Sequence, residues 1–446
     1  MKRLLLMLLM LLMLLPMAAM ASDNVSQWVE RDSTVAITNR IDRDFSLTLD
    51  EGIREIKRLY PTLGDNNIKS YIDSGYVELR DSQGGMRMYR KSPKNLRLIC
   101  RSMRQADGWN GRGAKARESR LAVADTIVSL SDKGDGTPVY RHRVTLRFSL
   151  EVPYNEELKG DTLRAWMPFP MTTDRQSDVR MLDTSHRDYI LSSPDNSVHR
   201  TVYMEQPVKD GENARFSYTF SYDVAGQYFS PGYIIANLKP YNKDSKQYKE
   251  YTATDERHII EIPLAREIVG WETNPFRQSE LVYDYIAGNI PWAGAREYST
   301  LDCIPRYVLE HGYGDCGQVA LLYISMMRTL GVPARWESGW MLHPGEKNYH
   351  DWAEVYFEGI GWVPVDVSFG RYTASGNPDV RTFCSHGQDI YRFASNSGVG
   401  GELYPPKRYV RSETVDFQAG EVETSRGNLF YPLWNSHLEI IKIEPL

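Results

Sequence analysis

Between Val144 and Val152 apolar and polar residues alternate without a break: Val144, Leu146, Phe148, Leu150 and Val152 against Thr145, Arg147, Ser149 and Glu151. A period of two belongs to a strand with one face buried and the other wetted, and a helix cannot gather such a stripe onto one side. Phe216, Tyr218, Phe220 and Tyr222 repeat the pattern. Strands of this kind must pair and then cover their apolar face with a second layer, which predicts a β-sandwich-like domain over residues 137–236. Core packing accounts for the aromatic stripe better than a binding face does.

The flanking segments read differently. Residues 22–136 form a mostly helical N-terminal region. There Thr48 and Glu51 make a capping box ahead of Leu49, Ile53, Ile56 and Tyr60, with Pro61 as a stop. A hairpin is expected about Gly84-Gly85, and the basic run Arg101 to Arg117 reads as a solvated loop or surface face. Helical spacing returns near Asp255, and Asn274-Pro275 starts a helix carrying Leu281, Val282, Tyr285 and Ile286. A short helix follows from Asp302 to Glu310. Another begins at Cys316, where Val319, Ala320, Leu322, Tyr323, Met326, Met327 and Leu330 make so broad an apolar face that the helix must be central. Gly331 and Pro333 end it. The whole is an α+β multidomain chain, with a further domain over 255–395 and a C-terminal extension, 396–446, packing on the core as a cap or extra strands. A length of 446 residues agrees with several domains.

Residues 1–21 stand apart. Lys2 and Arg3 precede an apolar run from Leu4 to Leu15, followed by Pro16 and the small-residue site Ala19-Met20-Ala21. This is the pattern of a secretory signal peptide, and it predicts an exported chain, periplasmic or extracellular, with no stable membrane anchor. A net charge of −5 with both signs scattered supplies no basic stripe for nucleic acid. Four cysteines, Cys100, Cys303, Cys316 and Cys384, would by default form two disulfides in an oxidising compartment. Their spacing fits no zinc pattern, and neither a metal nor a cofactor is expected.

One cysteine stands out, in HGYGDCGQVALL, His311 to Leu322. Asp315 is a good N-cap, so Cys316 falls in the first helical turn, where orphan N–H groups and the positive helix end favour a thiolate. The thiol pKa is therefore expected below its free value of about 8.5. Downstream, HDWAEVYFEGIGWVPVDVSF reads as a hairpin around Gly359-Ile360-Gly361. The simplest loop pairs Glu358 with Trp362 and Glu354 with Asp366, which leaves His350 and Asp366 about four residues apart on the ladder. A bulge or slipped register must close that gap if they touch. In contact, they would supply a base for the thiol and a carboxylate to hold it.

Gly314-Asp315-Cys316, Gly331-Val332-Pro333-Ala334-Arg335, His350-Asp351-Trp352-Ala353-Glu354-Val355 and Gly361-Trp362-Val363-Pro364-Val365-Asp366, in that order, resemble the transglutaminase-like superfamily. The resemblance covers about 255–395. It implies a papain-like α+β core with a Cys-His-Asp triad falling on Cys316, His350 and Asp366. It also suggests Trp292, in NIPW, as an indole donor to the oxyanion beside the Cys316 N–H. Trp340 and Trp352 are candidates to line the cleft, with packing the plainer role for each. Such a triad performs acyl transfer on peptide or protein amide bonds through a thioester, with cell-wall or glycan-linked peptides among the candidates. Hydrolysis is favoured for an exported protein, and the lack of an evident calcium-ligand loop argues against a metal-activated cross-linker. A protein-glutamine transglutaminase, or a binding or adhesion protein using the module as a scaffold, is the alternative.

Overall fold

The computed structural model describes residues 29–82, 84–106, 114–193 and 197–446. The expected signal peptide, 1–21, lies outside them. Among the described residues no helix is long and apolar enough to cross a membrane.

The alternating strands do what their period requires. Val139–Val152 pairs antiparallel with Ala214–Tyr228, setting Leu146 opposite Phe220 and Phe148 opposite Tyr218. Val144, Leu146, Phe148 and Leu150 are fully buried. They face a second sheet through Leu163, Ala165, Val202 and Met204, all in one core cluster. Each such side chain contributes roughly 1.5–3 kcal/mol when fully buried, and this explains why the register tolerates no one-residue slip.

The sandwich, however, is not made by its own segment alone. Asn435–Pro445 adds to the free side of Val139–Val152. Glu421–Glu423 and Asn428–Leu429 extend the facing sheet from Thr162–Pro168, and Val29–Glu30 closes its edge. The C-terminal extension thus supplies strands to both layers.

The N-terminal region holds the capped helix Leu49–Leu59, with Thr48 and Glu51 in a reciprocal capping box. Its hairpin is Leu79–Ser82 with Gly85–Met88. The basic run is not a loop throughout: Arg101–Ala106 and Ala114–Leu130 are helical.

The central unit is a four-stranded antiparallel sheet in the order Gly361–Val365, Glu346–Phe357, Ala334–His343, Arg392–Asn396. The helix Cys316–Thr329 lies on one of its faces, buried from Gly317 to Met327. Ala334, Trp336, Ala353, Val355 and Phe357 share its core cluster. Pro275–Asn289, capped by the Asn274 side chain as its sequence predicts, packs alongside.

Candidate active site

Asp315 caps the central helix: its Oδ1 accepts from the Gln318 N–H at 3.2 Å, and the Gln318 side chain returns to the Asp315 N–H at 3.3 Å. The Tyr298 hydroxyl donates to the same carboxylate at 2.5 Å. Cys316 is the first helical residue and is half-buried. The strand-like bridge between Trp292 and Gly314 holds NIPW against the turn before the cysteine. The thiol opens on a cleft of about 590 Å³, lined among others by Trp292, Tyr298, Asp351, Gln418 and Trp434.

The hairpin register differs from the simplest expectation. Phe357 pairs with Gly361 and Ala353 with Val365, so the loop is Glu358, Gly359 and Ile360. Gly359 and Gly361 sit at φ +88° and +109°, a region that side chains other than glycine's rarely enter. The slip of two positions carries Asp366 toward His350, and Asp366 then caps the turn Val367–Phe369. His350 Nε2 meets Asp366 Oδ2 at 2.6 Å. Arg392 donates to the same oxygen at 2.9 Å, and the Ser368 N–H to Oδ1 at 3.1 Å. Burial alone would raise the Asp366 pKa, but His350 and Arg392 outweigh it and hold the carboxyl below its ordinary range. The imidazole stacks on Phe369 at 5.1 Å.

The thiol has a different neighbour. Cys316 Sγ donates to Asp351 Oδ2 at 3.2 Å, and no hydrogen bond joins it to His350. Strand geometry is the reason: successive residues point to opposite faces, and Asp351 shares the helix-facing side with Ala353 and Val355. Gln418 fixes this carboxylate, with Nε2 donating to Asp351 Oδ1 at 2.6 Å and to the His350 carbonyl at 3.1 Å. Asp416 stands beside it, its Oδ1 accepting from Ser338 Oγ at 2.7 Å and Asn396 Nδ2 at 3.2 Å.

These carboxylates reverse the expected shift of the thiol. Burial, then the charges of Asp351 and Asp315, push the Cys316 pKa well above its ordinary value. The helix terminus is outweighed because a thiolate there would face two acidic groups. Alkylation by iodoacetamide is therefore expected to reach half its maximal rate at a higher pH than free cysteine does. Asp351→Asn should move that profile downward. A native profile below that of free cysteine would contradict this arrangement.

Two of the tryptophans do not line the cleft. Trp352 lies on the far face, 1% exposed, with Nε1 donating to Glu337 at 2.8 Å. Trp340 is buried behind the wall, its Nε1 on the Gln418 carbonyl at 3.1 Å. Both are packing residues, Trp340 with the added effect of fixing Gln418. Trp292 does line the cleft. Asp351, Asp416 and Gln418 went unnoticed in the sequence. Period-two alternation through HDWAEV could have singled out Asp351, whereas nothing local marks Gln418.

All four cysteines are free thiols, so neither of the two default disulfides forms.

Fold and site together place a cysteine at a buried helix terminus on a mixed α+β core, with a sandwich beside it. Residues 262–367 match the transglutaminase-like superfamily. YebA of Bacillus subtilis (strain 168), an uncharacterized protein, is 26% identical over 185 residues, 34% of this chain and 25% of that one. An uncharacterized Haemophilus influenzae protein is 28% identical over 153 residues, 28% of this chain and 40% of that one. The chain thus spans well under half of either curated relative. Among solved structures, a Cytophaga hutchinsonii protein named as a candidate cysteine protease gives a TM-score of 0.44 at 14% identity, covering 70% of this chain and 92% of its own. The periplasmic domain of TgpA from Pseudomonas aeruginosa gives 0.24 at 15% identity, covering 56% and 91%.

Proposed function

We propose that this chain is an exported cysteine-dependent enzyme that breaks peptide-like amide bonds by acyl transfer through Cys316, with water as the acyl acceptor. The observation that carries the reading is the placement of Cys316 at the first turn of a buried helix, opening on a cleft large enough for a peptide segment. Sγ attacks the amide carbonyl, and the developing oxyanion is met by the Cys316 N–H and the Trp292 indole. His350 serves as general base and then returns the proton to the leaving amine. Two contacts support that role. Nε2 is engaged by Asp366, which leaves the Nδ1 lone pair for the thiol, and Arg392 keeps Asp366 charged. In the free protein the imidazole lies across its strand from the thiol, so in this reading the strand turns at His350 when substrate is seated and the thiol exchanges Asp351 for the imidazole.

Digestion of a peptide library, read by mass spectrometry with and without a primary amine, tests the proposal. Cleaved peptides in both samples are the expected result. Amine-linked products without cleavage would mean a transglutaminase, and no change in either sample would leave the scaffold alternative. Trp292→Phe keeps the ring but removes the N–H, and it should cost about 2–4 kcal/mol of transition-state stabilisation, read as a fall in kcat with little change in KM. An unchanged kcat would assign Trp292 to packing alone.

A further inference from the structure

Asp351 has no part in the acylation chemistry above, yet its carboxylate is the group that touches the reacting sulfur. We propose that Asp351 is a catalytic residue of the second half-reaction, the general base that activates the water attacking the thioester. The inference rests on Cys316 being the nucleophile.

The geometry supplies the role directly. In the free enzyme Asp351 Oδ2 accepts from Cys316 Sγ at 3.2 Å, and Oδ1 accepts from Gln418 at 2.6 Å. Acylation removes the S–H. Oδ2 then loses its donor and stands within hydrogen-bond reach of any small nucleophile approaching the acyl carbon on that sulfur. The cleft brings solvent to that side, since Asp351 and Cys316 both line it. The approach depends on a bare position in the helix. A Cβ at Gly317 would lie 2.8 Å from Asp351 Oδ2 and 2.3 Å from the Tyr298 hydroxyl, so any side chain there would displace the carboxylate. Gln418 fixes its orientation, and the helix terminus at Cys316 favours an anion. Burial and the Asp416 charge push the Asp351 pKa well above the ordinary carboxylate range.

The step balances. A water O–H proton passes to Asp351 as its oxygen bonds to the thioester carbon. The tetrahedral intermediate collapses, the C–S bond breaks, and its electron pair returns to sulfur. Asp351 hands the proton to that thiolate, the carboxylic acid product leaves, and the S–H to Oδ2 bond of the free enzyme is restored.

The probe is 4-nitrophenyl acetate, whose leaving group needs no acid, so acylation and deacylation separate in one trace. Wild-type protein should turn it over steadily. Asp351→Asn should release about one nitrophenolate per chain as a burst and then slow roughly 100-fold, with acetyl retained on Cys316 in peptide mapping. The burst itself shows that this variant is folded. Formate should restore turnover to Asp351→Ala. The inference is overturned if Asp351→Asn turns over like wild type. It is also overturned if burst and turnover vanish together and formate restores nothing. Cys316→Ala distinguishes the two levels: nitrophenolate release at the wild-type rate from that variant would bring down the nucleophile reading itself, and the role of Asp351 with it.

Discussion

Replacing Cys316 with alanine is expected to abolish amide cleavage while leaving the fold in place. The thiol is the only group at the helix terminus able to form the acyl intermediate, so the loss should reach background. The structural cost is small. Alanine suits the first turn, Asp315 and Gln318 still cap the helix, and the half-buried side chain gives up one hydrogen bond, to Asp351. Activity on a peptide from the library digest, measured beside a thermal melt, checks both halves. Retained cleavage would refute the role of Cys316, and lost cleavage with a collapsed melt would call for Cys316→Ser as the conservative comparison.

His350→Ala should be nearly as severe, with a loss of about 10²–10⁴-fold in kcat, because the thiol loses its base and the leaving amine its acid. The two losses should not add: a variant lacking both Cys316 and His350 should resemble the worse single one. Asp366→Asn should be milder than His350→Ala, since the amide preserves shape but can support the wrong imidazole tautomer. The burst assay separates His350 from Asp351. His350→Ala should lose the nitrophenolate burst, while Asp351→Asn keeps it. A His350→Ala protein with a full-sized burst at the wild-type rate would move the acylating base elsewhere.

What the sequence made legible, and what it did not, divides along local and non-local lines. The helix starting at Cys316, the capping box at Thr48, the cap at Asn274 and the alternation from Val144 to Val152 all reappear in the structure, because each is dictated within a turn or a strand. The His350–Asp366 contact was half legible. Alternation placed both residues on one face but about four positions apart, and the two-residue slip that closes the gap depends on which residues enter the loop, where Gly359 and Gly361 permit either choice. The rise in the Cys316 pKa could not be read locally. It comes from Asp351, whose face is set by packing on the helix, and from burial, which is created by residues 413–420 closing over the site. Trp340 and Trp352 misled because their surroundings are set by distant segments: Trp352 lies on the far face of its sheet, and Trp340 is covered by the segment that carries Gln418.

The far wall of the cleft has a consequence for the order in which the protein is made. Gln418, which holds Asp351, and Asp416 beside it follow Cys316 by roughly a hundred residues, and their segment is pinned by Glu421–Glu423 in one sheet and Asn435–Pro445 in the other. A ribosome delivers the thiol long before it delivers that wall. Until the later strands dock on Thr162–Pro168 and Val139–Val152, the carboxylate has no Gln418 to hold it and the cleft has only one side. A chain still being synthesised therefore carries its cysteine as an unassembled part, and the cleft is complete only when the last strands have come home.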